Sequence, residues 1–555
     1  MLRSQLVSSE RVIGIGLALA LAAMGCGGRG GQPSWRKPQE VKGGPRGPVT
    51  IHFVPKTPPS RGYNDPPLTP APKSELGDAV VREVQRVSAQ LGKPAPVADG
   101  RLFAAARELA EVAPQDLPLV YSLIEFALQR NGIIEPSPHL VVIWGPTDDA
   151  GEIVKSLADR LPAILGAADF ARVGVGAAER DGEQGVTILA FQSSSIDTTP
   201  IPRQIAEGGR VKIEASVKPP FVEPQAFVTR ETGAVERLGL ARTAGGRLTA
   251  ELACGTHRGR QQIEITADDK TGSTVLANFP VWCAEAPPTS LTVHLDADET
   301  APIASREEAE ERLVRLVNRD REKHGLPALD IDARLQAVAR DHCEEMRETG
   351  VVAHLSPRTG SAADRVKAGG VRSSVVLENV ARAYGIGEAE EGLMNSPGHR
   401  ANILSKEATH MAIGVVLGED VAGRRELFVT QLFIRRTARI DRRAVGDQVR
   451  ERVQARGLEE DPRLSVVAQE LAEGIAAGSS PNDASVVANR RLSGMNLPYA
   501  RVTTLVTTVA DLAAFKPKDS IRDASIRVFG AGIAQGDHEV MGEGAIHIVL
   551  LLAHK

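Results

Sequence analysis

The chain has 555 residues, 42% hydrophobic and 25% charged, ordinary proportions for globular protein but too many residues for one core. At about 100–200 residues per domain, about three to five domains are expected. A net charge of −4 and 3% aromatic residues argue against nucleic acid as a partner, which calls for a basic field and stacking surfaces. Cys26, Cys254, Cys283 and Cys343 form no C-x-x-C pair, so a thiolate zinc knuckle or a thioredoxin-type motif is not expected.

The N-terminus reads as a targeting segment. Arg3 and Arg11 supply positive charge, and an apolar run from Val12 to Met24 ends in small residues before Cys26. That run is too short for a comfortable membrane span, and no other run is long enough. Leu21-Ala22-Ala23-Met24-Gly25-Cys26 resembles a bacterial lipobox, with Ala23 standing where that motif usually has Leu. The resemblance implies a signal peptide over 1–26 and lipidation of Cys26; the alternative is a plain signal peptide cut nearby. Either way the protein is exported, anchored to the envelope (outer membrane or periplasmic face) or extracellular, and touches membrane through its lipid only. Residues 27–74 are rich in Gly, Pro, Arg and Lys, which predicts a flexible tether.

Beyond the tether one pattern occurs three times. Val81 and Val84 precede Gly92-Lys93-Pro94, then Arg101-Leu102 and Ala105-Ala106-Arg107. Val314 and Val317 precede Gly325-Leu326-Pro327, then Arg334-Leu335 and Val338-Ala339-Arg340, at the same spacing. A third version, with a shorter interval, follows Val449: Gly457-Leu458, Arg463-Leu464 and Val467-Ala468. Each ends on small-residue strands, Val173–Gly176, Ile413–Val416 and Phe529–Gly532, each followed by a second strand. The pattern predicts a helix pair, a variable middle and a terminal β-hairpin in each unit, over 75–195, 305–437 and 440–555.

Between the first two units, residues 200–290 alternate apolar and polar over Arg210–Val217, Gly246–Ala253 and Gln261–Ala267, which predicts a small, Ig-like β-sandwich. Cys254 and Cys283 flank its last strands. In an exported protein they are candidates for a disulfide closing a loop of about 30 residues, worth roughly 3–4 kcal/mol. Cys343 falls within an apolar-patterned helix and reads as a buried small hydrophobe.

Only the middle unit carries chemistry. It contains His354-Leu355-Ser356-Pro357, Leu377-Glu378-Asn379, and Asn395-Ser396-Pro397-Gly398-His399-Arg400-Ala401-Asn402-Ile403-Leu404, then Ile413-Gly414-Val415. Two neutral imidazoles and a carboxylate suit zinc with a position left for water. Both histidines lie in loop or helix-end contexts, where functional residues concentrate. His410, in the connection before the strand, reads as a surface residue or as one that supports the site from behind. Arg400 and Asn402 are expected to brace the turn after His399, and Asn379 to hydrogen-bond loop backbone.

In order and spacing these motifs resemble the CAP superfamily, in its bacterial SCP-like branch, over about residues 305–435. The resemblance implies an α+β fold, a CAP-type α-β-α sandwich, with two histidines and two acidic residues meeting in a central cleft where several members bind a divalent metal. His354, Glu378 and His399 match three of those positions. The second acid falls at Ser396, so its charge is missing. The outer units keep the frame as degenerate CAP-like copies: the first has His139 near where Glu378 would align, the third has only His538 and His547 in its hairpin.

Two functions follow. The first is a non-catalytic binding protein of the cell envelope that recognises an envelope component, lipid or protein through its cleft, with Zn2+ or another divalent metal held by His354 and His399. The second is a metal-dependent hydrolase of peptide, ester or cell-wall substrates, with Glu378 as ligand or general base. No activated serine or cysteine nucleophile can be named, which favours binding.

Overall fold

The computed structural model describes residues 48–114, 119–179, 185–421, 424–437, 439–517, 521 and 525–554. The expected signal segment 1–26, with the lipidation candidate Cys26, lies outside these residues.

The three patterned units have sheets of the same order. In the middle unit, Asp330–Ile331 pairs in parallel with His410–Val421, which pairs antiparallel with Arg424–Ile434, which pairs antiparallel with Val376–Ala383. The first unit repeats this with Val97–Ala98, Arg172–Glu179, Gly185–Gln192 and His139–Gly145. The third repeats it with Glu459–Glu460, Ile526–His538, Gly542–His554 and Arg501–Val509.

The shared sequence pattern has a physical basis. The first helix of each unit (Glu75–Gln90, Arg306–Lys323, Arg442–Gln454) gives way to a glycine in the left-handed region, Gly92, Gly325 or Gly457, at φ +66°, +67° and +78°. The next helix is capped by an aspartate: Asp99, Asp332 and Asp461 accept from the amides of Arg101, Arg334 and Arg463. That helix then lies directly on the small-residue strand. A Cβ at Gly176, Gly414 or Gly532 would come within 2.0 Å of Arg107 N, 2.4 Å of Ala339 C or 2.1 Å of Ala468 C. Side chains there would push helix and sheet apart.

Alternate strand residues face opposite layers. In the middle unit Ile413, Val415, Leu427 and Val429 pack against the helix Arg306–Lys323, and Ala412 and Leu432 pack against Leu335 and Ala339 of the helix Ala333–Thr349. The sheet thus lies between two helical layers, each with its own core. Cys343 is buried as expected and bonds to Gly414 O and Thr430 Oγ1, both at 3.2 Å.

The intervening segment forms two sheets around one core. One contains Leu240–Arg242, Leu248–Ala253, Arg210–Val217 and Ile196–Thr198. The other contains Val235–Leu238, Val222–Thr229, Gly259–Asp269, Gly272–Cys283 and Gln204–Ile205. Cys254 and Cys283 are joined by a disulfide.

The tether expected over 27–74 is corrected in its second half. Val49–Phe53 pairs antiparallel with Leu291–Leu295, and Phe53 enters the core of the first unit. Gly62–Tyr63 pairs with Ile201–Pro202, and the fully buried Tyr63 donates to Pro280 O at 2.7 Å. A few apolar residues in a Pro-rich stretch find strand partners more than 130 residues away in sequence, which local composition does not reveal.

Candidate functional site

Four elements of the middle unit deliver the expected residues. His354 lies in the loop after the helix Ala333–Thr349, and Glu378 is the third residue of the strand Val376–Ala383. Ser396 joins the helices Ile386–Asn395 and Pro397–Ile403, and His399 is the third residue of the second. Pro397 opens that short helix, where its missing N–H costs nothing.

The structure brings His354, Glu378 and His399 together. The imidazole rings are 6.1 Å apart between centroids. His354 Nδ1–H donates to Glu378 Oε1 at 3.0 Å, and Arg365 donates to Glu378 Oε2. Both partners of that ion pair are buried. Burial pushes the Glu378 carboxyl upwards, but the His354 hydrogen bond and the Arg365 charge prevail and hold it below the usual range. Burial, with a smaller contribution from His354, lowers His399 to about 3, so it is neutral at physiological pH.

A hydrogen-bond chain fixes this geometry. Asn379 Nδ2 donates to His399 O at 3.2 Å and to Gln431 Oε1 at 2.9 Å. Gln431 Nε2 donates to Glu390 Oε2 at 2.8 Å, and Asn402 Nδ2 donates to Glu378 O at 3.0 Å and to Asn379 Oδ1 at 2.9 Å. Burial, then the nearby Asp320, raises Glu390 to about 8, so this end of the chain is a neutral acid. Asn379 holds loop backbone as expected, at His399 O. Arg400 Nη2 meets His324 Nε2 at 2.6 Å and braces the turn from outside. His410 opens its strand beside Thr409, apart from the pair.

The expected metal centre is not supported by this geometry. Glu378 is bonded by His354 and paired with the buried Arg365, whose positive charge beside it disfavours a cation there. Among the described residues no group of three His, Cys, Asp or Glu is arranged to hold a metal ion. A zinc centre needs at least three such donors, so the residues present do not fit one.

Sequence reasoning missed three contributors. Arg365 neutralises Glu378, and the buried His342 has Nε2 3.9 Å from Glu378 Oε2 while donating to Ala353 O at 2.8 Å. Neither carries a motif signal. The third is Glu264, from the two-sheet segment: its Oε1 accepts from the Gly398 amide at 3.2 Å. Alternation in its strand places Glu264 opposite the core residues Ile263 and Ile265, but nothing in the sequence says that this outer face is covered. In the outer units, His139 meets Tyr384 Oη at 3.2 Å across the boundary to the middle unit. The rings of His538 and His547 lie 6.1 Å apart between centroids in the third unit's hairpin.

Fold, cleft and motifs together define a CAP domain. Residues 314–433 match the family described as CAP, the cysteine-rich secretory protein family, so the chain carries a CAP domain in its middle unit. Over 108 residues it is 39% identical to the uncharacterized membrane protein YlbC and 37% identical to the uncharacterized protein YkwD, both of Bacillus subtilis (strain 168). Those matches cover 19% of this chain, and 31% and 42% of the two relatives, so the chain spans less than half of either. Among solved structures, an extracellular SCP-domain protein of Bacillus anthracis is similar at 20% identity and a TM-score of 0.21, over 42% of this chain and 80% of that one.

Proposed function

We propose that the chain is an exported protein of the cell envelope, anchored through lipid at Cys26, whose CAP cleft binds an envelope component without turning it over. The observation that carries this reading is the commitment of Glu378. A general base works best with a pKa near the operating pH, whereas the partners of Glu378 hold its carboxyl below the usual range and make it a weak base. Here one oxygen accepts from His354 and the other from Arg365. What the cleft offers is a pair of imidazoles in a braced frame, which suits recognition.

The flanking units are read as copies of the same fold that lack the histidine–acid constellation and serve as scaffold. Their identical sheet order and their matching capped helices and glycine contacts support this. The two-sheet segment is read as an Ig-like module. Among the described residues no helix is long and apolar enough to cross a membrane.

Co-sedimentation with isolated bacterial envelopes tests the reading. The double variant His354→Ala/His399→Ala is expected to lose binding while its melting temperature stays within a few degrees of the parent. Undiminished binding by that variant sinks the proposal.

A further inference from the structure

The segment between the first two units closes over the CAP cleft at two points. At one, the turn between its long strands lies on the His354 loop: Leu355 N donates to Thr271 O at 3.0 Å, and a Cβ at Gly272 would come within 3.2 Å of His354 Cβ. At the other, Glu264 reaches the turn that carries His399 and accepts from Gly398 N. Arg260 and Asn278 fix the same contact, donating to Asn395 Oδ1 at 3.0 Å and to Asn395 O at 3.3 Å.

Glu264 is an unusual group to bury at a domain boundary, with 1% of its surface exposed. Burial raises it to about 7, opposed only by the Ser396 hydroxyl and the Gly398 amide, with no cation among its partners. Its Oε2 and the neighbouring Ser396 Oγ are both buried, and although the hydroxyl lies close enough to act on the carboxyl, neither atom makes a well-aligned hydrogen bond among the described residues. A buried polar atom without a good partner is costly, so two side by side favour a further polar group between them.

We propose that Glu264 is a ligand-binding residue of the CAP cleft, contributed across the domain boundary, and that with Ser396 it receives an amide group of the ligand. This rests on the reading of the cleft as a binding site. A carboxyl in its neutral form offers one O–H donor and one carbonyl acceptor side by side. An amide presents the complementary C=O and N–H. The absence of a cation beside Glu264 disfavours an anionic ligand. Peptidoglycan carries amides in two places, the N-acetyl groups of its glycan and the backbone of its stem peptides, and both fit.

The test is co-sedimentation of the full chain with purified peptidoglycan sacculi. Glu264→Ala is expected to weaken binding more than tenfold, and Ser396→Ala several-fold. Glu264→Gln, which keeps a donor and an acceptor of the same shape, is expected to stay within threefold of the parent. Competition by a soluble N-acetylated glycan or by a stem peptide tells the two amide sources apart, and failure of both overturns the amide assignment. If Glu264→Ala unfolds, the glutamine and Ser396 variants carry the test. Binding unchanged in Glu264→Ala but lost in His399→Ala overturns the composite cleft and leaves the binding reading standing. Binding unchanged in both overturns both, and no binding of the parent chain to sacculi overturns the amide assignment.

Discussion

At the scale of single residues, the site is governed by who neutralises whom. Glu378 is held ionised by Arg365 and His354 in a buried pocket. Removing one member of a buried pair strands the other, so Arg365→Met is expected to cost about 3–5 kcal/mol of unfolding free energy. Adding Glu378→Gln should return part of that loss, which denaturant titration of the single and double variants would measure. His399 behaves differently. Its folded pKa of about 3 lies below the ordinary 6.5, so the unfolded chain takes up the proton first. The stability this neutral histidine secures is full above about pH 6.5 and declines as pH falls towards 3. A scan of melting temperature from pH 8 to pH 4 should show that decline, and His399→Asn should flatten it. Glu390 runs the other way. Its carboxyl is raised to about 8, so its contribution is full below about pH 4.5 and is lost as pH rises towards 8. Glu390→Gln should therefore gain on the parent at pH 8.5 more than at pH 5.

At the scale of elements, the repeated glycines decide how closely helix and sheet approach. Gly532→Ala places a methyl against the Ala468 backbone and is expected to cost about 1–3 kcal/mol, as overpacking does. Gly239→Ala, with nothing within 4 Å of the added carbon, is the matched control and should leave the denaturation midpoint unmoved. These contacts also explain what was legible. The Gly-x-Pro turns, the Arg-Leu pairs and the small-residue strands are local consequences of a left-handed cap, an aspartate-capped helix and a close backbone approach, so they are written in the sequence. The motif residues His354, Glu378 and His399 were legible because the short runs that carry them resemble CAP-superfamily motifs. Arg365, His342 and Glu264 were not, because their roles exist only through contacts made after folding. The ordered strap over residues 49–63 was hidden likewise: its partner strand Leu291–Leu295 lies far along the chain.

At the scale of the molecule, the CAP domain does not stand alone. Asn395 marks the junction, accepting from Arg260 of the two-sheet segment and donating to Glu125 of the first unit. Glu391 accepts from the Ser122 amide at 3.2 Å at the same boundary. The disulfide Cys254–Cys283 closes the segment that covers the cleft. Replacing both cysteines by serine should cost about 2–5 kcal/mol, read as a lowered denaturation midpoint. The missing charge at Ser396, a gap when the CAP motifs are taken by themselves, faces a carboxyl from a neighbouring domain.

The most direct measurement incubates the full chain with purified sacculi and quantifies, in one sample, the protein bound and the soluble fragments released. Saturable binding that is lost in His354→Ala/His399→Ala, with no fragments above the level of buffer alone, is the expected result. Release of fragments that disappears in Glu378→Gln and persists in Ser396→Ala would contradict the account and make the cleft a hydrolase.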